Sequence, residues 1–449
     1  MMGCRTGCID RWKICGYLGQ IERPSTSSGH IPTSSGRAFR DSVCVVRILF
    51  STTAGTGHFG PLIPFARACA AASHTAAVAA PVRFAEAVSG AGFAHLPFDE
   101  PAPDVIGQIF GRISQLSFEE ANRVIVAELF GRLDAQSALP AMTKIINDWQ
   151  PDLVVREPCE LASMVAADGA GIGHLQVAIM TGHFGPAILG ILHGPLGELS
   201  TMAGLPQERG AELLLRADTL TSVPAALDSG ELVLGESGAE RPPSDHGRIW
   251  RFRTAVPASP VMPAAWGHPD EPLVYVSYGS VTSRQSEFAP LYAATLDALA
   301  DQPIRVLMTT GHGLDPADLE PIPPNSHVEQ WWPQEAVMGE AAAVVGHGGF
   351  GTTMTALTGG VPQVVLPLFA FDQAVHARKV VDVNAGIQLL GSVAAVAALP
   401  DALRRLLDDP AYADGARAIA AEIATLPDVA ECLPVLEQFA GRRSKGGVR

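Results

Sequence analysis

Short apolar runs separated by polar, glycine-rich turns dominate the chain from about residue 46 onward. These runs are rich in Val, Ile, Leu and Ala and have the length of a strand buried on both faces, about 4–8 residues. They alternate with longer segments in which apolar residues return at helical spacing. Such alternation predicts a parallel, doubly wound sheet flanked by helices. The predicted strands are residues 43–50, 75–80, 90–96, 151–155, 173–179, 273–278, 304–309, 326–330, 341–345, 363–366 and 386–390.

Changes in composition divide the chain into segments. The first residues mix Cys, Ser, Gly, Arg and Thr without a period, which is typical of disorder. One hypothesis is that the native chain starts near Val46, at the first strand. A later stretch rich in proline and poor in periodicity marks a domain boundary. The predicted segments are a disordered extension at 1–43, a first α/β domain at 44–250, a linker at 251–272, a second α/β domain at 273–430, and a C-terminal helix and tail at 431–449.

Composition argues against several classes of function. A chain of 449 residues is long enough for two domains with full cores. Its net charge of -15 argues against nucleic acid as a partner, because phosphate backbones require basic patches. No apolar run approaches the ~20 residues of a membrane span, and we expect no secretory signal and no stable membrane insertion. The seven cysteines form no disulfide framework, so we expect a reducing cytoplasm. A zinc site from Cys4, Cys8 and Cys15 lacks a second ligand pair.

A glycine-rich segment at residues 346–353 directly follows a predicted strand. Glycines allow a sharp turn and the close approach of another molecule to the backbone. Thr352 and Thr353 stand where the next helix should begin, and a helix start can hold phosphate through its unpaired N–H groups. Asp372 and Gln373 follow the next strand, at the same edge of the sheet. The two loops therefore predict a diphosphate site beside an acid–amide pair suited to hydroxyl groups.

Glycine turns follow two other predicted strands. Gly279-Ser280 offers another place for a phosphate oxygen. Residues 55–60 contain G-x-G-x-x-G, and a dinucleotide site of this type needs an acidic residue at the end of the second strand. That strand ends at residues 81–83 without an acid, which argues against NAD or FAD. The alternative is that the glycines expose His58 at a helix start, facing an interdomain cleft.

Two further features are expected at the same cleft. Glu157 follows the predicted strand 151–155, so its carboxylate should face the edge that carries His58. Residues 181–186 repeat the sequence of residues 56–61, so His183 is a rival for any role given to His58. Residues 183–206 are rich in glycine and proline but apolar. We expect a mobile loop there that lines an apolar acceptor site; the alternative is a surface loop without a role.

Four short motifs carry a resemblance to a known family. They are Trp331-Trp332-Pro333-Gln334, His347-Gly348-Gly349-Phe350-Gly351-Thr352, Gly360-Val361-Pro362 and Asp372-Gln373. In this order they resemble the donor-binding signature of family 1 glycosyltransferases, and most of all the bacterial branch that glycosylates antibiotics and other natural products. The resemblance extends more weakly from about Val46 to the C-terminus. It implies the GT-B fold, in which two Rossmann-like, doubly wound parallel-sheet domains face a central cleft and the last helix crosses back onto the first domain.

The resemblance also implies a reaction. A sugar would move from a nucleotide diphosphate sugar (a UDP- or dTDP-sugar) on the second domain to a hydroxyl of a small apolar acceptor, such as a natural-product aglycone, on the first, with inversion. His58, mostly neutral at cellular pH, would take the acceptor proton during attack, and Glu157 would stabilise the imidazolium. The implied donor-binding residues are Ser280, Trp331, Gln334, His347, Gly349, Gly351, Thr352, Thr353, Asp372 and Gln373. His183 and Phe184 are the candidate acceptor-binding residues.

The sequence departs from the family pattern at three places and leaves some alternatives open. The spacer 367–371 is one residue longer than usual, His376 stands where Asn is common, and Glu157 stands where Asp is frequent. No Asp-x-Asp triplet occurs, so we expect no metal, no cofactor and activity that survives EDTA. A nucleotide-sugar epimerase on the same fold and a non-catalytic auxiliary partner of a glycosyltransferase are the alternative functions. UDP is not distinguished from dTDP, nor a monomer from a homodimer.

Overall fold

Two parallel sheets make up the core of the molecule. The computed structural model describes residues 45–113, 115–181, 186–228, 247–254, 262–263, 266–390 and 393–441, so the extension predicted at 1–43 lies outside the described residues. The first sheet has seven strands and the second has six, and every strand pair is parallel. The strands are β1 Arg47–Ser51, β2 Thr75–Pro81, β3 Ala94–Phe98, β4 Leu153–Arg156, β5 Gly173–Val177, β6 Thr219–Thr221, β7 Ile249–Arg251, β8 Leu273–Ser277, β9 Arg305–Thr309, β10 Ser326–Glu329, β11 Ala341–Gly346, β12 Gln363–Val365 and β13 Gly386–Gln388.

The strand order places a crevice in each sheet. The first sheet runs β3-β2-β1-β4-β5-β6-β7 and the second runs β10-β9-β8-β11-β12-β13. The order reverses between β1 and β4 in the first sheet and between β8 and β11 in the second. In open α/β sheets, ligands bind outside the carboxyl ends of the strands at such a reversal. The predicted architecture of two doubly wound parallel sheets is confirmed.

Helices connect the strands, as the alternating pattern predicted. None of the described helices is both long and apolar enough to cross a membrane. A segment of π-helix, Ile125–Asp134, joins two of the α-helices. The α-helices are α1 Thr56–Phe59, α2 Ile63–Ala71, α3 Ala85–Gly90, α4 Pro103–Ile113, α5 Phe118–Val124, α6 Ala135–Trp149, α7 Ala162–Gly169, α8 Pro186–Met202, α9 Arg209–Leu215, α10 Gly279–Thr282, α11 Ala289–Leu299, α12 Gln334–Met338, α13 Phe350–Thr358, α14 Phe371–Asp382, α15 Leu399–Asp408, α16 Pro410–Thr425 and α17 Leu433–Ala440.

The prediction of a mobile loop over residues 183–206 is wrong, because most of that stretch is the helix α8. Its buried stripe recurs every three or four residues, and such a stripe stabilises a helix against the core despite glycines and an internal proline. The stripe consists of Ile188, Leu192, Leu196 and Leu199. The glycine and proline content therefore obscured a helical period that is present in the sequence.

The C-terminal segment packs on the first sheet. Cys432, Val435 and Leu436 belong to the same buried cluster as Phe65 and Val155, which lie in the first half of the chain. A parallel bridge between Arg253 and Asp428 fixes the returning chain beside the end of the first half. The expectation that the last helix crosses back onto the first domain is confirmed. The boundaries given above for the segments remain predictions.

Some strand limits differ from those predicted. The third strand begins at Ala94 because the residues from Ala85 to Gly90 form the helix α3. The strands β6 and β7 were not predicted, because three residues each are too few to show a period. Their place in the sheet is set by pairing with β5 and with each other.

Candidate active site

A histidine and a carboxylate meet where the first sheet reverses its order. His58 lies in α1, just beyond β1, and Glu157 follows β4 directly. Nδ1 of His58 is 3.3 Å from Oε2 of Glu157 and 3.1 Å from Oγ1 of Thr53. The Glu157 side chain is fully buried, whereas 25% of the His58 side chain is exposed. The ring is therefore held from behind and open to the cleft in front.

The Glu157 carboxylate is itself fixed by three hydrogen bonds. Its Oε1 accepts from the backbone N–H of Thr53 at 3.1 Å and from the Thr53 hydroxyl at 2.9 Å. Its Oε2 accepts from the backbone N–H of Cys159 at 2.6 Å. Since the carboxylate only accepts, Nδ1 of His58 must carry the hydrogen between the two side chains. That tautomer leaves the lone pair of the ring on Nε2.

The electrostatics favour an ion pair when the ring takes up a proton. Burial lowers the pKa of His58, but the charge and hydrogen bond of Glu157, aided by Asp372 and Asp134, outweigh it and raise this pKa above its usual value. Burial raises the pKa of Glu157, but His58 and the backbone N–H groups of Thr53 and Cys159 outweigh burial and lower this pKa. Glu157 is therefore ionised at neutral pH, and it stabilises a charged imidazolium.

The second sheet presents two loops at its own reversal point. Gly279 follows β8 with a φ of 80°, and Gly349 caps the start of α13. The buried ring of His347 lies between them: a Cβ at Gly279 would be 2.6 Å, and one at Gly349 2.5 Å, from its Cε1 atom. Burial lowers the pKa of His347 to about 4, so the ring is neutral. Both glycines are thus required for the close approach of the two loops.

The described candidate donor residues fall into two groups. Those that are partly or fully exposed are Ser280, Trp331, Gln334, Gly349, Gly351 and Asp372. Trp331 is 61% exposed. The side chains of His347, Thr352, Thr353 and Gln373 are buried. Gln334 donates from Nε2 to the Thr352 hydroxyl at 3.1 Å, so the first turn of α13 is tied to α12.

Gln373 has a structural task that its position in the sequence did not indicate. Its Oε1 accepts from the backbone N–H groups of Leu368, Phe369 and Ala370, at 2.8, 3.1 and 3.4 Å. The side chain therefore shapes the loop before α14, and its carbonyl oxygen is already engaged. Asp372, one residue earlier, lines the cavity between the two sheets.

The two sets of loops touch directly. Oγ1 of Thr56 and Oγ of Ser280 are 2.6 Å apart, so α1, which carries His58, meets the turn after β8. Asn122 of α5 adds a second link, because its amide accepts from the Phe371 N–H at 3.0 Å and donates to the Phe369 carbonyl at 3.3 Å. No local pattern predicts these contacts beyond the placement of polar residues at strand and helix ends.

A cavity of about 870 Å³ opens in front of His58. Its wall is mainly apolar and comes from both halves of the chain, with Phe130 of the π-helical segment 5.6 Å from the His58 ring, centroid to centroid. Asp134 lies in the same wall, and burial together with the charges of Glu100 and Glu157 raises its pKa to about 7. The space suits a large apolar molecule that presents a polar group to His58. The candidate residues His183 and Phe184 lie outside the described residues.

Two family models match the chain, one in each half. Residues 67–209 match the N-terminal domain, and residues 293–439 the C-terminal domain, of the family described as erythromycin biosynthesis protein CIII-like. Erythronolide mycarosyltransferase of Saccharopolyspora erythraea is 26% identical over 431 residues, covering 89% of this chain and 100% of that protein. L-demethylnoviosyl transferase of Streptomyces niveus is 29% identical over 399 residues, covering 85% of this chain and 95% of that protein.

Solved structures share the fold. The glycosyltransferase SsfS6 of Streptomyces sp. SF2575, complexed with thymidine diphosphate, superposes with a TM-score of 0.66 at 24% identity. The superposition covers 88% of this chain and 99% of that chain. At this level of identity the likeness shows the two-sheet fold alone.

Proposed function

Because the chain belongs to the family 1 glycosyltransferases of the bacterial natural-product type, we propose that it moves a sugar from a UDP- or dTDP-sugar to a hydroxyl of a small apolar acceptor, with inversion at the anomeric carbon. The acceptor occupies the cavity in front of His58, and the donor diphosphate lies against the turns after β8 and β11. The protein acts in the cytoplasm and needs no metal ion.

His58 is the general base of this reaction. An alcohol is too weak an acid to ionise beforehand, so Nε2 takes its proton as the oxygen attacks, a form of catalysis that contributes about 10²–10⁴-fold. The Nδ1–H of the ring points at Glu157, whose charge stabilises the imidazolium formed in that step. Thr53 orients the carboxylate through two hydrogen bonds and thereby fixes the direction of the ring.

The leaving diphosphate is stabilised by backbone dipoles and hydroxyl groups. The first N–H groups of α13 have no partner within the helix, and they carry a partial positive charge. Gly351 in that first turn is exposed and has open space beside it, which leaves its backbone accessible to phosphate. Ser280 adds a hydroxyl from the facing turn. Trp331 stacks on the nucleobase of the donor, and Asp372 binds hydroxyl groups of its sugar.

The observation that carries this proposal is the contact between Thr56 and Ser280. The contact supports the proposal because it brings α1, which carries His58, against the turn that we assign to the diphosphate, so that the proposed base and the proposed diphosphate site can face one sugar carbon. A dyad and a phosphate turn that lay apart could not serve one displacement.

The experiment is a two-stage screen of the purified protein. A thermal-shift panel of nucleotides and nucleotide sugars identifies the donor, since a ligand that binds only the folded state raises the melting temperature. The donor is then incubated with apolar hydroxylated acceptors, and the anomeric configuration of the glycoside is read by NMR. We expect a glycoside of inverted configuration. Conversion of the donor to an epimer in the absence of acceptor, or a product of retained configuration, contradicts the proposal.

A further inference from the structure

A third metal-binding side chain lies beside the His58–Glu157 pair. His58, Glu157 and Cys159 each offer one possible ligand atom, namely a ring nitrogen, a carboxylate oxygen and Sγ. These three atoms all lie within 4.8 Å of one another. His58 comes from α1, just beyond β1, and the other two come from the loop after β4, so the reversal of strand order brings them together. Cys159 and His58 both line the cavity, which gives an ion a route from solvent.

These three atoms are a ligand set that zinc prefers. Zn²⁺ binds imidazole nitrogen, thiolate sulfur and carboxylate oxygen at about 2.0–2.3 Å, in tetrahedral sites with three protein ligands and one water. Ligands on a tetrahedron of that size are about 3.3–3.8 Å apart, and Nδ1 of His58 is already 3.3 Å from Oε2 of Glu157. Sγ of Cys159 lies within 4.8 Å of the other two ligand atoms, which is at most about 1 Å farther than a tetrahedral site of this size requires.

The charges around Cys159 suit a dication. The carboxylates of Glu157, Asp372 and Asp134 all act electrostatically on its thiol, and the Arg156 guanidinium opposes them. Binding releases the thiol proton to solvent, and one Zn²⁺ then balances the thiolate and the Glu157 carboxylate. The bonds from Thr53 and from the Cys159 N–H to that carboxylate already orient it, as outer partners of a metal ligand do.

We propose that His58, Glu157 and Cys159 form an inhibitory site for Zn²⁺ and similar thiophilic dications. The consequence for activity rests on the function proposed above. An imidazole that binds metal through Nδ1 carries its hydrogen on Nε2, so the lone pair that would accept the acceptor proton is gone. The ion also takes the place of the Nδ1–H bond to Glu157. Hard ions such as Mg²⁺, which prefer oxygen ligands, do not compete for the thiolate.

The ion itself is tested with Co²⁺, which replaces Zn²⁺ and has a visible spectrum. The full-length protein is freed of metal and titrated with Co²⁺ in three forms: wild type, Cys159→Ser, and the matched control Cys432→Ala, which removes a core thiol. We expect a thiolate-to-cobalt charge-transfer band of equal intensity in wild type and in Cys432→Ala. In Cys159→Ser the band should be weaker by about the intensity of one thiolate–cobalt bond per protein. Equal bands in all three forms overturn the proposal, and this readout does not depend on turnover.

Inhibition is measured on the same proteins. Zn²⁺ lowers the rate of transfer by wild type, and EDTA restores it. Loss of one ligand should raise the half-inhibiting Zn²⁺ concentration at least ~10-fold in Cys159→Ser, while Cys432→Ala behaves as wild type. Equal sensitivity of wild type and Cys159→Ser to Zn²⁺ contradicts the proposal. If no form of the protein transfers sugar, the proposed function fails, and the cobalt band alone decides whether the metal site exists.

Discussion

Nδ1 of His376 lies 2.6 Å from the carbonyl oxygen of Gly348, which ties α14 to the glycine-rich loop before α13. The other ring nitrogen, Nε2, accepts the backbone N–H of Thr181 at 3.1 Å, and Thr181 belongs to the first half of the chain. The ring is fully buried. His376 therefore links the glycine-rich loop to the first half of the chain, and it can do so only as a neutral ring with its hydrogen on Nδ1.

This link should be sensitive to acid. Burial lowers the pKa of His376 and outweighs Asp372 and the Gly348 carbonyl, which raise it. Below about pH 6.5 the unfolded chain therefore binds a proton at this ring more readily than the folded chain does. The contribution of neutral His376 to the free energy of unfolding is fully present above the pKa of the unfolded state. It is lost as the pH falls towards the pKa of the folded state. The loss can reach about 1.4 kcal/mol per pH unit for one group.

The variant His376→Asn separates this effect from the rest of the protein. Asparagine keeps a donor and an acceptor but cannot take up a proton, so its free energy of unfolding should fall less than that of wild type between about pH 7 and pH 5. Urea denaturation at several pH values measures the difference. Curves of stability against pH that run parallel for the two proteins would show that His376 does not titrate in this way.

The variant Glu157→Gln tests the role of the Glu157 carboxylate, which contacts Nδ1 of His58. The amide keeps the shape of the side chain but removes its charge, and we expect kcat to fall about 10²–10⁴-fold. Because the base must be neutral to act, kcat/KM in wild type should rise with pH through a pKa above 6.5. That midpoint should move to lower pH in Glu157→Gln, since Glu157 is the main group that raises the pKa of His58.

The matched control is Glu157→Asp, which keeps the charge and should retain more activity than the amide. Both variants are compared by initial rates across the pH range. A pH profile whose acid limb stays in place in Glu157→Gln would mean that Glu157 does not act through His58.

Two glycines of one loop should respond differently to an added methyl group. In Gly349→Ala the new Cβ would be 2.5 Å from Cε1 and Nε2 of His347, so the buried ring or the backbone must shift. Overpacking of this kind costs about 1–3 kcal/mol of folding stability. In Gly351→Ala no heavy atom lies within 4 Å, so stability should change by less than about 0.5 kcal/mol.

The variants Gly349→Ala and Gly351→Ala also test where the diphosphate of the donor binds. If phosphate rests against the backbone of Gly351, the methyl group of Gly351→Ala should weaken nucleotide binding although the fold is intact. Thermal melts and nucleotide titrations of both variants provide the two readouts. Nucleotide affinity equal to that of wild type in Gly351→Ala would place the diphosphate elsewhere.

Removal of metal ions should not lower the rate of transfer. Helix dipoles, hydroxyl groups and backbone N–H groups hold the diphosphate in this account, so no divalent ion is needed to bridge it. The measurement is the initial rate before and after dialysis against EDTA. Any inhibitory Zn²⁺ would make EDTA raise the rate; a complete loss of activity that Mg²⁺ restores would contradict the account.

The sequence predicted features that depend on neighbouring residues and missed those that depend on folding. The start of α13 after β11 could be predicted from Gly349, Gly351 and Thr352, because turns and helix starts have local sequence signatures. His58 and Glu157 could be placed at one edge, because the carboxyl ends of parallel strands meet there.

The missed features have long-range causes. Thr53 belongs to the site only because β1 and β4 are neighbours, and His376 links two halves whose docking no local pattern encodes. Asp134 lines the cavity at the end of a π-helical segment. A π-helix has a different number of residues per turn from an α-helix, so an α-helical period predicts the wrong facing for this side chain. The helix α8 was missed for a different reason, because its glycines and Pro195 conceal a regular buried stripe.

The most direct test of the central claim is a calorimetric titration of wild type and His58→Ala with UDP and dTDP, followed by an assay of transfer with both proteins. The claim is that the second half binds the diphosphate while an imidazole from the first half activates the acceptor. We expect one of the two nucleotides to bind both proteins with affinities within about threefold, whereas transfer falls by at least ~10²-fold in His58→Ala. Wild-type protein that binds neither nucleotide, or a His58→Ala variant that transfers sugar at the wild-type rate, would contradict it.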